Sequence, residues 1–240
     1  MSISDPWLKV DLTPDVIAIQ TIRGIGKPPY GGFNLGLHVG DDNNHVTENR
    51  ARVGAVFGRT PVFPQQVHGA EVAVIETSND PVGEVDAIVT RTLGLPIGIQ
   101  TADCLPVLFS GDGVIGCAHA GWRGLQQGIL ENIVNFLGDP RKVTAWLGPC
   151  IDSDVFEVGP EVISAFTERD PSLLRFFKPS ARFEHAYMDL QGIAKFRLDL
   201  LSIGAIKLLG MPAGKTPDRW YSYRFEGVTG RMASCIMRIG

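Results

Sequence analysis

Apolar residues fall into short runs along most of this chain. Val62–Val67 and residues 71–76, 85–90, 95–100, 105–109 and 113–118 are rich in Val, Ile and Phe, and Gly, Pro or Asp separates them. Such punctuated runs predict consecutive β-strands. Residues 14–23, carrying Val16, Ile17, Ile19 and Ile22, read as an earlier strand; 142–147 and Arg231–Ile239 read as later ones. Helical spacing begins near Asn44 with Val46, Val53 and Phe57 on one stripe, where Asn43 or Asn44 can cap the first turn. It returns at 124–137 with Leu125, Ile129, Ile133 and Phe136 inward. Two more helices are expected at 160–169, with Val162 and Phe166 inward, and at 189–203, with Leu190, Ile193, Phe196 and Leu200. Residues 24–40 hold Gly24, Gly26, Pro28, Pro29, Gly31, Gly32, Gly36 and Gly40 and predict a loop. Strands in blocks, with helices between and after them, predict an α+β fold over one domain, residues 1–240, rather than strict βαβ alternation.

Composition narrows the function classes. The 240 residues are 44% hydrophobic and 20% charged, ordinary for a globular chain able to bury a core without staples. A formal charge of -4 with no basic cluster argues against nucleic acid or an anionic membrane as partner. No run approaches the roughly 20 apolar residues of a membrane span. Met1–Pro6 lacks the basic and apolar regions of a secretory signal, so the cytoplasm is the expectation. Four cysteines, at 104, 117, 150 and 235, form no CxxC pair, and reduced thiols are expected rather than a disulfide framework. Monomer or weak oligomer is the default assembly.

Candidate chemistry concentrates between Gln66 and Gly124. His68, Cys104 and His119 stand at or near the ends of different predicted strands. Two imidazoles and a thiolate suit a borderline-soft ion such as zinc, and three protein ligands leave one coordination position open. Copper fits the same donor set. Cys104 is also a candidate nucleophile with His119 or His68 as its base, although one histidine is then unexplained. A zinc-stabilised binding module is the non-enzymatic alternative; it needs a fourth ligand, and Cys117 is the nearby thiol. His38 reads as structural with the option of lining a pocket, His45 as a first-turn helix residue and His185 as a loop residue. Gly121-Trp122-Arg123-Gly124 opens a helix, where free N–H groups and Arg123 could meet an anion; the competing reading is a tight turn with Trp122 as packing anchor. The Gly-rich loop with Arg23 and Asn34 is a second candidate for phosphate, although its spacing matches no dinucleotide or P-loop fingerprint.

These residues, with Asn34-Leu35-Gly36-Leu37-His38-Val39-Gly40-Asp41, Asn49-Arg50, Gln66-Val67-His68-Gly69, Asp86-Ala87, Thr101-Ala102-Asp103-Cys104-Leu105-Pro106-Val107, His119-Ala120-Gly121-Trp122-Arg123-Gly124, Leu147-Gly148-Pro149-Cys150-Ile151, Ser222-Tyr223-Arg224 and Thr229-Gly230-Arg231-Met232-Ala233, carry a resemblance over nearly the whole chain. The sequence resembles the bacterial family first labelled multicopper polyphenol oxidoreductase, or laccase domain, and since reassigned as purine nucleoside phosphorylase. The resemblance implies two mixed sheets with helices outside, layered α/β/β/α. It implies zinc on His68, Cys104 and His119, and phosphorolysis of adenosine, inosine, guanosine and methylthioadenosine with an adenosine deaminase activity. On that reading Cys104, Asp103 and His119 are catalytic, Asp103 as proton shuttle or ligand-supporting group. Arg23, Arg123 and Arg224 hold phosphate, and Asn34 touches ribose or phosphate. Two positions depart from the pattern: Lys215-Thr216 stands where Cys-Thr is usual, and Ser222-Tyr223-Arg224-Phe225 where Ser-Tyr-Arg-Arg is usual. A copper polyphenol oxidoreductase remains the runner-up. Its weakness is five histidines with no His-x-His pair.

Overall fold

The longer apolar runs become strands whose two faces are both covered. The computed structural model describes residues 5–210 and 218–240. Lys215 and Thr216 lie outside that range. In chain order the structure begins with β1 (Trp7–Lys9), β2 (Val16–Thr21) and helix α1 (Asn43–Phe57). Strands β3 (Val72–Val74), β4 (Ala87–Thr90), β5 (Ile97–Thr101), β6 (Leu105–Gly111) and β7 (Val114–Ala120) follow. Helices α2 (Trp122–Gln127) and α3 (Ile129–Val134) lead to β8 (Thr144–Leu147), β9 (Glu157–Val158) and helix α4 (Pro160–Thr167). The rest comprises β10 (Phe177–Pro179), β11 (Ala186–Met188), α5 (Leu190–Leu200), β12 (Ala205–Leu208), the short α6 (Tyr223–Glu226) and β13 (Met232–Arg238).

A four-stranded antiparallel sheet runs β1-β2-β13-β5. A six-stranded mixed sheet runs β12-β8-β6-β7-β4-β3, parallel at its two outer pairs and antiparallel between them. Strands β9, β10 and β11 form a small third sheet. The two large sheets pack face to face, with β5 and β13 lying on β7. Alternate residues of each strand therefore enter different cores. Leu108 joins Ile97, Ile99, Ile115 and Ile236 between the sheets, while its neighbours Val107 and Phe109 meet Leu125, Ile129, Ile193 and Leu198 on the helical side. On the far face of the four-stranded sheet, Ala233 and Cys235 pack with Val53 and Phe57 of α1. The layers are thus α, β, β, α, as the resemblance implies.

Four local expectations are corrected. Val62–Val67 is no strand: it makes one isolated bridge, Val62 with Ile97, because Pro61 and Pro64 cannot donate to a ladder. The helix expected over 124–137 is two, broken at Gly128 (φ 95°). Phe136 is 41% exposed and Leu200 66%, so neither turns inward as its spacing suggested. The cap of α1 is Asp42, whose carboxylate accepts the Asn44 N–H at 2.7 Å. No helix among the described residues is long and apolar enough to cross a membrane.

Candidate metal centre

The site lies on the seam between the two large sheets. His68 ends the irregular segment that Gln66 pins to β5: its side-chain amide donates to Gln100 O (2.7 Å) and accepts the Gln100 N–H (2.8 Å), replacing the missing ladder. His68 adopts a left-handed conformation (φ 61°), uncommon for a residue with a side chain. What holds it there is Asp86, just before β4. Its fully buried carboxylate accepts the backbone N–H groups of Val67 (3.1 Å), His68 (3.0 Å) and Gly69 (2.7 Å). The same carboxylate accepts Nδ1–H of His119 at 2.7 Å, and the Asp86 carbonyl takes the His119 backbone N–H. Burial works against ionised Asp86, but the His119 hydrogen bond and charge, followed by the amides of Gly69 and Val67, hold it below the usual carboxylate range. A proton fixed on Nδ1 leaves Nε2 of His119 as the ligand atom.

Cys104 sits in the three-residue crossing from β5, in one sheet, to β6, in the other. Asp103 makes the crossing possible with another left-handed backbone (φ 85°). Its carbonyl accepts Ile151 N–H, and its carboxylate accepts Ser222 Oγ at 2.6 Å and the Arg224 N–H at 2.7 Å. Burial raises the proton affinity of Asp103 despite these donors.

One ligand atom from each of His68, Cys104 and His119 lies within 4.8 Å of the others. A tetrahedral ion with bonds of about 2.0–2.3 Å spaces its ligands by roughly 3.5 Å, so side-chain rotation closes the set on it. His119 is buried, Cys104 half-buried and His68 exposed, which leaves one side open toward solvent. Burial pushes the Cys104 thiol up, but the His119 charge and hydrogen bonds from both imidazoles bring it down to about 6. Burial likewise lowers His119, and the Cys104 charge with the Asp86 bond reverses that, to about 9. At neutral pH the pair is therefore disposed as a thiolate beside an imidazolium, and a metal binding there would displace the Nε2 proton of His119. Cys117, at 0% exposure, faces the core between the sheets and belongs to no metal-capable cluster among the described residues.

The Gly-Trp-Arg-Gly turn explains itself here. A Cβ at Gly121 would lie 3.0 Å from Cys104 Sγ and 3.3 Å from His68 Cδ2, and one at Gly124 would meet the Gly69 carbonyl at 2.5 Å. These glycines let α2 close on the ligands; α2 is only six residues long. Trp122 packs against the helical-side core, and the Arg123 guanidinium lies 4.4 Å from its ring centroid.

The ligands open into a cleft of about 760 Å³ whose lining includes Asp103, Arg123 and Arg224 from the sequence-derived candidates. It does not include Arg23 or Asn34. Arg23 is ion-paired with Glu226 and lies over Tyr221. Asn34 is fully buried, and its amide bonds Gly36, Asp41 and the Arg231 N–H, so it organises the 34–41 loop rather than meeting a ligand. His38 does line the cleft, as do Gln66, Gln100, Tyr223 and Arg231, none of which had been given a site role from sequence. Gln66, Tyr223 and Arg231 were visible in the sequence only as members of the motifs that carry the resemblance.

Residues 16–239 match the family described as multi-copper polyphenol oxidoreductase laccase. The chain is 39% identical to a purine nucleoside phosphorylase of Pseudomonas aeruginosa over 237 residues, 94% of this chain and 97% of that one. It is 39% identical to the purine nucleoside phosphorylase YfiH of Escherichia coli K12 over 227 residues, 91% of each. Among solved structures, a Neisseria meningitidis protein superposes with a TM-score of 0.92 at 33% identity, covering 98% of this chain and 100% of that one. YlmD of Geobacillus stearothermophilus superposes with a TM-score of 0.87 at 26% identity, covering 100% and 98%. Sequence match, relatives and architecture agree, and the chain belongs to the multi-copper polyphenol oxidoreductase laccase family.

Proposed function

We propose that this protein is a zinc-dependent purine nucleoside phosphorylase acting on adenosine, inosine, guanosine and methylthioadenosine, with adenosine deaminase as a second activity of the same site. The observation that carries the reading is a three-ligand cluster, open on one side, inside a cleft of about 760 Å³ lined by arginines. That volume lies within the roughly 300–1,000 Å³ of small-molecule sites. The curated relatives named above are purine nucleoside phosphorylases.

His68, Cys104 and His119 would hold the ion, which when bound supplies Lewis acidity at its open position. Phosphorolysis joins a phosphate oxygen to C1′ of the ribose as the C1′–N9 bond breaks, and that bonding pair leaves with the purine. The Arg123 and Arg224 guanidinium groups face the cleft and lie within 4.0 Å of no carboxylate among the described residues, although the Arg224 charge acts on Asp103 from farther off; this suits them to an anionic co-substrate. Deamination replaces the C6 amino group with a water oxygen and releases ammonia. Asp103 acts as a positioning residue in both: Ser222 and Arg224 occupy its two oxygens, so it fixes the arginine-bearing rim rather than carrying protons. Asp86 orients His119 and the His68 turn.

A multicopper oxidase reading lacks ligands. Of five histidines, three line the cleft, and a single metal-capable cluster occurs among the described residues. The deciding experiment assays protein purified without added metal against each nucleoside, with and without phosphate, and measures zinc and copper on the same sample. Phosphate-dependent base release that disappears on chelation, returns with zinc and is absent in Cys104→Ala is expected. Turnover that survives both chelation and Cys104→Ala would overturn the reading.

A further inference from the structure

Arg231 is the cleft arginine that the first candidates left out, and it is built differently from the others. Arg123 and Arg224 are exposed, and their guanidinium groups lie over Trp122 and Phe156. Arg231 is half-buried and fixed along its whole length. Its backbone N–H donates to Asn34 Oδ1 (2.8 Å), and Asn34 is itself locked by Gly36 and Asp41. Its stem crosses Gly36 so closely that a Cβ there would meet Arg231 Cγ at 2.8 Å. Nη1 donates to the carbonyls of Thr229 (3.1 Å) and Gly230 (3.0 Å).

Those two bonds use both N–H donors of Nη1. The edge formed by Nε and Nη2 keeps three more and has no acceptor among the described residues. No carboxylate comes within 4.0 Å of the guanidinium among those residues. Two arginines with well-covered side chains, Arg23 and Arg197, each meet a glutamate. Arg50, also half-buried, bonds the Leu35 carbonyl, stacks on Phe63 and lies outside the cleft. Cys104 and Asp103 act on this charge from a distance, but neither meets the Nε–Nη2 edge, and the free edge of a guanidinium matches two oxygens of one anion.

We propose that Arg231 is the phosphate anchor of the cleft, its Nε–Nη2 edge receiving two oxygens of inorganic phosphate while Thr229, Gly230, Asn34 and Gly36 hold that edge in place. The proposal rests on the phosphorolysis reading for its biological sense but not for its test. Because the side chain is ordered before the ligand arrives, little rotamer entropy is lost on binding. The exposed Arg123 and Arg224 then supply supplementary charge rather than the fixed register.

The test measures binding of inorganic phosphate to zinc-loaded protein by titration calorimetry, for the wild type, Arg231→Met and Arg231→Lys, with zinc content and melting temperature recorded for each. Phosphate affinity should fall about tenfold to a hundredfold in Arg231→Met, with partial recovery in Arg231→Lys, while zinc content stays at the wild-type level. In turnover, KM for phosphate should rise by a similar factor while KM for the nucleoside changes less than about twofold. A wild type that binds no phosphate, or an Arg231→Met variant that binds it as tightly, overturns the proposal. So does a rise in KM for the nucleoside instead of phosphate, which would mark Arg231 as a purine or ribose contact. Should Arg231→Met not fold, Arg231→Lys decides by the same phosphate titration. If the wild type binds phosphate through Arg231 yet cleaves no nucleoside, the phosphorylase reading fails and the anchor stands.

Discussion

Asp86 ties both histidines of the candidate metal centre to one carboxylate. Through Nδ1 of His119 it selects the ligating tautomer, and through three amides it sustains the left-handed backbone at His68. Asp86→Asn keeps the shape but replaces an acceptor-only group with one that also donates, so at least one of the four incoming N–H groups loses its partner. Zinc affinity should drop about tenfold to a hundredfold, read by competition with a chromophoric chelator. An unchanged affinity would show that the ligands are oriented by something else. The candidate trio was proposed from sequence because metal preference belongs to the residue type, and the fold brings one ligand-type atom of each within 4.8 Å of the others. Asp86 could not: its donors arrive from positions 17 to 33 residues away. The arginines show the same divide. Arg23 and Arg231 are chemically identical in sequence, and only the fold pairs one with Glu226 and leaves the other an open edge in the cleft.

Elements were legible where burial is continuous and obscure where backbone geometry decides. Strands β2, β4 to β8 and β13 read correctly as apolar runs because they are largely buried on both faces, and β3 did too; the edge strands β1 and β12, with exposed positions, were not read. β9 to β11 are two or three residues each, too short for a pattern. The helix break at Gly128 was hidden because Leu125, Ile129 and Ile133 enter the same core on either side of it. Two glycines of this region therefore predict opposite outcomes. Gly128 has φ 95°, and Gly128→Ala should cost about 1–2 kcal/mol from left-handed strain while zinc affinity is preserved. At Gly124 a Cβ meets the Gly69 carbonyl at 2.5 Å, so Gly124→Ala must push α2 away from the His68 turn. That variant should lose zinc affinity. Urea unfolding and chelator competition on both proteins separate the two effects; equal zinc affinity in the pair would show that α2 does not buttress the ligands.

At the scale of the whole molecule, the three candidate ligands come from three different parts of the fold. His68 follows a segment clamped to β5 of the four-stranded sheet, Cys104 lies on the crossing between the sheets, and His119 sits near the end of β7 in the six-stranded sheet. A metal held by all three is a cross-link across the seam, and it binds the folded chain far better than an unfolded one whose ligands are 36 and 15 residues apart. Binding the native state alone stabilises it by about 4 kcal/mol at a thousandfold excess over Kd. At roughly 2–4 °C per kcal/mol for a chain of this size, stripping the metal should lower Tm by on the order of 10 °C. Scanning calorimetry of loaded and chelated protein reads the shift directly. Cys104→Ala supplies the control: without its thiolate the seam cannot be closed, and its Tm should be the same with or without zinc. If the wild type also melts at one temperature in both states, the three side chains share no ion, whatever the cleft then does.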